Sequence, residues 1–469
     1  MSQPAEPLRI SAPAGRGTLL AAIVASGMVF LDATVVNVAL PHLGAELKAD
    51  VAALQWTVNG YLLMLAAFVL LGGALGDRYG RRRMFLAGVL WFSVASLLCG
   101  LAQNVEWLVA ARFLQGAGAA LLTPGSLSQL QSSFHPDERA RAIGAWSGLS
   151  GVSTALGPFL GGWLIDAFSW RWIFLINLPL AVVVVLAALR WIPESRNPAS
   201  AEGARFDLAG AVAGATGLAG ITYALIDAPQ RGWLSWPVLA SAAVGVAATV
   251  LLLLVERRRG ATAMLPPNLF TSRLFSVLNV YTVLVYAALI GLTFFLSVYL
   301  QNVVGWSALV TGLSTLPLTL LLLVGSARAG ALASRIGPRL PLTVGPVVAA
   351  VGFLLLRGIR PGASYWVDVL PGVTLFGVGM TLVVAPLTAS VLAAVADRFA
   401  GVASGFNNAA SRVGGLLSVA ALPLLVGLSG SGYEVPAELT AAFRAAMLWC
   451  AGLMLAGAVI AGLLARRPR

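Results

Sequence analysis

Apolar runs of about twenty residues recur from one end of this 469-residue chain to the other. Each is long enough to cross a hydrocarbon core of about 30 Å. In lipid every backbone N–H and C=O must find its partner within the protein, so only helices and closed barrels can span. A barrel would show short alternating segments, and the chain has none. Only 10% of residues are charged, where a soluble domain carries about a quarter. The chain reads as an all-α polytopic membrane protein with fourteen spans.

Charge placement sets the expected topology. Of the basic residues, 22 lie in the terminal segments and the loops on their side, and six lie opposite, among them Lys48, the only lysine. By the positive-inside rule both termini are cytoplasmic, in a protein of the cell membrane. Trp107, Trp170, Trp233, Trp236 and Trp366 mark expected membrane interfaces. The first apolar run is too long for a signal-peptide core, and it carries Asp32, so it is expected to remain as a span.

The same placement weighs against nucleic acid as a partner, although the formal charge is +12. No Walker A frame surrounds Lys48. Cys99 and Cys450 lie inside apolar runs and read as small buried hydrophobes, while His42 and His135 are far apart. No metal or cofactor is expected. The expected energy source is a proton gradient, and the protein is expected to work as a monomer.

An internal repeat divides the chain. "GGALGDRYGRRR" at 72–83 is echoed by "AGALASRIGPRL" at 329–340, and the segment 124–144 by 385–405. Two six-helix bundles, 18–192 and 273–465, account for this. The linker 193–272 then carries two further spans, with tails at 1–17 and 466–469. Duplicated halves that rock about a central site are a common build of secondary transporters.

Several motifs resemble those of the major facilitator superfamily, in particular its fourteen-helix drug:proton antiporter branch. "GALGDRYGRRR" resembles the signature loop between helices 2 and 3, and "RFLQGAGAA" (112–120) the helix-4 arginine motif. "GPFLGG" (157–162) resembles the antiporter motif of helix 5, and "LDATVVNVALP" (31–41) and "WRWIFLINLP" (170–179) resemble segments typical of the branch. The resemblance implies a transporter, not an enzyme. It implies that small amphipathic compounds such as drugs, antibiotics or related metabolites leave the cytoplasm in exchange for protons, by alternating access. A dedicated exporter of one metabolite, lipid or siderophore is the alternative. A nutrient importer or a non-transporting receptor is further off.

Residue by residue, the expected roles are these. Asp32 lies about 20 Å into its helix at 1.5 Å per residue. A carboxylate that deep in lipid costs roughly 2.5–3.5 kcal/mol, which marks it as functional. Burial favours its neutral form and a nearby cation its ionised form. Such a group can hold either a proton or a cationic partner, which is the basis of antiport. Arg112, in helix 4, is its expected partner, and Gln115 shares Arg112's face.

Asn37 is a candidate second bond to Asp32. In the signature loop Gly76 and Gly80 permit a tight turn. Asp77 is expected to face a helix N-terminus, and Arg78, Arg81 and Arg82 to pair with carboxylates in a cytoplasmic gate. In helix 5, Gly148, Ser153, Gly157 and Gly161 form a small-residue ridge kinked by Pro158, with Gly162 beside it. That ridge is expected against helix 10. Asn37, Gln55, Asn59, Tyr61, Gln115, Asn408 and Arg412 are candidates for the cargo cavity, and Asp227 and Asp368 are expected near the ends of spans, in water.

Overall fold

The computed structural model describes residues 7–195, 208–259, 267–396 and 399–464. The C-terminal tail at 466–469 lies outside them, as do parts of the N-terminal tail and of the 193–272 linker. Among the described residues are fourteen helices long and apolar enough to cross a membrane: α1 Pro13–Leu47, α2 Val51–Tyr79, α3 Arg81–Gly100, α4 Val105–Ser133, α5 Pro136–Ala167, α6 Trp172–Trp191, α7 Ala209–Arg231, α8 Trp236–Arg259, α9 Arg273–Asn302, α10 Ala308–Ile336, α11 Arg339–Leu356, α12 Tyr365–Ala393, α13 Gly401–Leu425 and α14 Pro436–Leu463. Each coincides with an expected span. Many are longer, because the helices run past the hydrocarbon into polar residues.

Helix starts are set locally. The carboxylate of Asp50 accepts from the Ala53 backbone N–H at 2.8 Å, opening α2, and Asn104 does the same for Trp107 at 2.8 Å, opening α4. These are N-caps, which satisfy donors left free in a first turn. Two spans are broken near the side away from the termini: α6 at Ile176 and α10 at Thr315, just before Pro317.

Small residues bring the helices close. A Cβ on Gly72 would lie 2.2 Å from the Ala120 carbonyl oxygen, and one on Gly88 2.9 Å from the Leu122 nitrogen. Both contacts let α2 and α3 approach the backbone of α4, the packing expected where lipid supplies no hydrophobic drive between helices. The inserted α7 and α8 pack on each other through Gly220 and Gly245. α7 also lies against α2 and α13, where Gln230 donates to Asp50 at 2.6 Å. α8 is the least covered of the fourteen spans, with Trp236, Leu251 and Leu253 exposed.

Trp170 lies in the turn between α5 and α6, at a span end, but faces inward. Trp170 is buried, its indole N–H donating to Glu46 at 2.7 Å. Trp107, Trp233, Trp236 and Trp366 are exposed as expected.

Candidate proton site and the seam between α5 and α10

Asp32 lies 19 residues past Pro13 and 15 before Leu47. At 1.5 Å per residue that is about 28 and 22 Å along the axis, deeper from the start than expected because α1 begins earlier. The side chain is fully buried and Arg112 is 1% exposed.

The two form an ion pair. Arg112 Nη1 donates to Asp32 Oδ2 at 2.6 Å and to Gln115 Oε1 at 2.6 Å, while its Nε donates to the Thr57 carbonyl at 2.9 Å. Gln115 Nε2 donates to Asp32 Oδ1 at 2.8 Å and to Ser96 Oγ at 3.1 Å. Ser96 donates onward to the Phe174 carbonyl at 3.0 Å and accepts from Asn177 Nδ2 at 2.9 Å. The guanidinium sits 4.4 Å from the centre of the Tyr61 ring, a cation–π contact. Both oxygens of Asp32 are thus occupied, and the network joins α1, α2, α3, α4 and α6. Breaking one side of such a buried pair costs about 3–5 kcal/mol, because it strands the other charge.

Sequence reasoning found Asp32, Arg112 and Gln115. It missed Ser96 and Asn177, although a polar residue inside an apolar run was the available signal. It also placed Asn37 wrongly. Five residues turn a helix by about 500°, so Asn37 points away from Asp32. Its amide donates to its own helix at Ala33, 3.4 Å, and its Oδ1 is buried without a partner. Tyr61 belongs to the Arg112 site, with its hydroxyl 3.4 Å from the Val29 carbonyl.

Of the other cavity candidates, Gln55 is buried and donates across to α13, at the Val419 and Ala420 carbonyls, 2.6 and 3.1 Å away. Asn59 is fully buried with both amide atoms unpartnered. Asn408 is exposed. The bonded amide belongs to its neighbour Asn407, which donates to Asn279 Oδ1 at 3.0 Å and Thr282 Oγ1 at 2.7 Å. Arg412 Nε is buried without a partner. Asp227 is paired with Arg231 at 2.7 Å and mostly covered, not solvated, while Asp368 accepts from the Ser364 N–H at 2.7 Å.

The signature loop departs from expectation in three places. Gly80 alone takes the left-handed turn, at φ +112°; Gly76 stays inside α2 and its carbonyl accepts from the Gly80 N–H at 3.1 Å. Asp77 meets the Arg81 side chain at 2.7 Å, not backbone donors. It is Glu194 that accepts from the first turn of α3, at the Arg82 N–H, 3.2 Å. The Arg82 guanidinium donates to the Leu189 carbonyl at 3.1 Å and not to a carboxylate, and Arg78 lies over the Tyr79 ring. The Arg81 N–H donates to the Ser195 carbonyl at 2.9 Å, so Arg81 and Arg82 tie the loop to the chain at the end of α6, while Asp77 only braces Arg81.

The helix-5 ridge splits between two neighbours. A Cβ on Gly157 would lie 2.0 Å from Thr34 Oγ1, and one on Gly161 2.0 Å from Val35 Cγ2. These glycines serve α1, not α10 as expected, and Gly148 faces open space. Gly162 serves α10, where its Cβ would be 2.5 Å from the Ala308 carbonyl oxygen. From the other side, a Cβ on Gly312 would reach the Pro158 carbonyl oxygen at 2.0 Å. Asp166 then accepts from the Ala308 and Leu309 N–H groups at 3.2 and 2.9 Å, capping α10 from α5. It was not singled out from sequence.

Among the described residues, the hydrogen bonds that join the first six spans to the last six gather on the side away from the termini. Beside Asp166 and Gln55 these are Gln301 Nε2 to the Val38 carbonyl (2.9 Å), Tyr433 Oη to the Ala49 carbonyl (2.6 Å) and the Val51 N–H to the Gly430 carbonyl (2.9 Å). Towards the termini the α5–α10 seam opens. The nearest atom to a Cβ on Gly151 is Leu323 Cδ1 at 3.8 Å, and Gly148 and Gly144 have no neighbour within 4 Å. No cluster of three or more His, Cys, Asp or Glu among the described residues is arranged to hold a metal ion.

Comparison with known proteins agrees with this architecture. The family model described as Major Facilitator Superfamily matches residues 22–419. The chain is 36% identical to "Multidrug resistance protein Stp" of Mycobacterium tuberculosis over 413 residues, covering 86% of this chain and 75% of that one. It is 37% identical to "Tetracenomycin C resistance and export protein" of Streptomyces glaucescens, covering 87% and 75%. It is 35% identical to "Cephamycin export protein CmcT" of Amycolatopsis lactamdurans, covering 94% and 91%. Among solved structures, a bacterial homologue of the human lysosomal transporter Spinster, inward-facing and occupied, superposes with a TM-score of 0.68 at 18% identity, covering 97% and 98%, which speaks to the fold alone. The chain belongs to the Major Facilitator Superfamily, and it is a multi-pass membrane transporter rather than an enzyme.

Proposed function

We propose that the protein exports small amphipathic compounds from the cytoplasm in exchange for protons, by alternating access. The two moving units are the bundles 18–192 and 273–465, and both termini are cytoplasmic. The observation that carries this reading is the buried Asp32–Arg112–Gln115 network, set mid-membrane in a chain whose relatives bear the names of resistance and export proteins.

Asp32 is the proton carrier. Protonation removes the charge that Arg112 neutralises, while Arg112 keeps its bonds to Thr57 and Gln115. α1 is then held less tightly to α2 and α4. Thr34 and Val35, two and three residues beyond Asp32, are the contacts of Gly157 and Gly161 on α5, and the far side of α5 meets α10 through Gly162 and the Pro158 carbonyl. A proton on Asp32 thus acts on the helix against which the seam is built, through packed contacts. Closing that seam on the cytoplasmic side would release the bonds of Asp166, Gln301 and Tyr433 on the other.

Transport into inside-out vesicles holding the protein tests this. An imposed pH gradient should drive uptake of several amphipathic dyes. Uptake independent of that gradient would contradict proton coupling, and uptake of a single compound from a chemical panel would make the protein a dedicated exporter.

A further inference from the structure

Among the described residues, Arg412 is a cation without a counter-charge. It lies 11 residues into α13 and 13 from its end, so about 17 and 20 Å along the axis from the two helix ends. No hydrogen bond or ion pair reaches it among the described residues, and its Nε is buried with no acceptor. Among charges placed mid-span, Asp32 and Arg112 cancel, and the other carboxylates of the described helices lie near helix ends. A lone charge at such depth must face water or a partner.

Its surroundings follow from register. α2 and α13 run antiparallel: Gln55 bonds to Val419 and Ala420, and Leu70 meets Gly405. Arg412 therefore falls beside the stretch of α2 between those contacts. Asn59 lies there, one turn from Gln55 on the same side, fully buried with both amide atoms unpartnered. An unpaired cation from one bundle and a free amide from the other thus share the α2–α13 seam, with Tyr61 two residues beyond Asn59 on α2.

We propose that Arg412 is the anion-binding position of the cargo site, so that this transporter takes aromatic compounds carrying a carboxylate, phenolate or enolate. The assignment rests on the transport reading above. A guanidinium suits such groups because it is planar, always charged, binds carboxylates through two parallel bonds and stacks on aromatic rings. Asn59 supplies a further donor. The Tyr61 ring, against which Arg112 rests, links cargo and proton sites. A monoanion leaving as one proton enters moves two positive equivalents inward, so an inside-negative potential would drive efflux.

Two dyes that share a xanthene ring test the sign of the site: anionic fluorescein and cationic rhodamine 6G, titrated by fluorescence anisotropy into the full-length protein. Arg412→Gln should weaken fluorescein about tenfold or more, the loss of one charge-assisted contact, and leave rhodamine 6G as tight or tighter. Arg412→Lys should keep most of the fluorescein affinity. If Arg412→Gln loses both dyes, retention of fluorescein by Arg412→Lys supports the site and its loss overturns it. Equal fluorescein binding by wild type and Arg412→Gln, or a wild type that does not bind fluorescein, also overturns it. Those outcomes leave gradient-driven transport standing, whereas the vesicle assay would fail whatever the charge of the cargo.

Discussion

The first and last six spans are built on one packing scheme but filled with different chemistry. Gly116 and Gly118 of α4 lie against α2 at Tyr61 and α3 at Phe92; Gly377 and Gly379 of α12 lie against α10 at Leu318 and α11 at Ala349. Counting from these paired contacts, Arg112 corresponds to Val373, Gln115 to Phe376 and Ser96 to Phe353. The Gln115–Ser96 hydrogen bond of the first bundle is an aromatic pair in the second, with Phe353 and Phe376 centroids 4.9 Å apart and both side chains buried. The signature loop diverges in the same way. Gly80 and Gly337 both turn at positive φ, +112° and +83°, but the Asp77–Arg81 pair becomes Ser334 and Pro338. Backbone geometry is shared, while at these matched places the first bundle holds ionisable and hydrogen-bonding groups and the second dry packing; the second bundle's mid-span charge, Arg412, lies elsewhere, on α13. The proposed transport reading puts the titrating group in the first bundle.

The sharpest way to break that contrast is to exchange its poles. Arg112→Met should strand Asp32 and cost about 3–5 kcal/mol if the carboxylate stays ionised, read as a large drop in thermal stability in detergent. The double variant Asp32→Asn, Arg112→Met should recover much of that loss, since it removes both charges. At the matching place in the other bundle, Phe376→Leu should cost only about 1–2 kcal/mol, as an apolar exchange that leaves no charge unpaired, and should preserve gradient-driven uptake. Equal losses for Arg112→Met and Phe376→Leu would show that the network is packing alone.

At the turns, Gly80→Ala should destabilise by about 1–2 kcal/mol from left-handed strain, with more from contact, since its Cβ would meet the Glu194 carboxylate at 2.6 Å. Gly337→Ala carries the strain without the contact, as nothing lies within 4 Å, and should cost less in the same melting assay. Smallest of all, Asp77→Asn removes a half-buried pair that bridges the Gly80 turn, worth about 0.2–1 kcal/mol. A larger effect on transport than on melting would point to a role for Asp77 in gating that its contacts in this conformation do not display.

These contrasts explain what could be read from the chain. The fourteen spans were legible because hydrocarbon imposes length and apolarity on every segment alike. Asp32, Arg112 and Gln115 were legible because an ionisable or amide group in such a segment stands out against its neighbours. Spacing, by contrast, says which residues share a face but not what that face meets. Gly157 and Gly161 were therefore assigned to α10 when they serve α1, and Asn37 to Asp32 when it serves neither carboxylate oxygen. The bonds between bundles were invisible for a related reason. Gln55 finds Val419 across 364 residues of sequence, and Asp166 looks like an ordinary residue at the end of a span until α10 is seen to begin on it. Asn59 and Arg412 stood out as polar groups, but only packing reveals that they lack partners.

The most direct test separates coupling from passage. Purified Asp32→Asn in proteoliposomes should let a fluorescent cargo equilibrate down its own gradient, yet fail to concentrate it when a pH gradient is imposed, where the wild type does. If Asp32→Asn concentrates cargo against its gradient as the wild type does, the proton is carried elsewhere and the role given to this carboxylate is wrong.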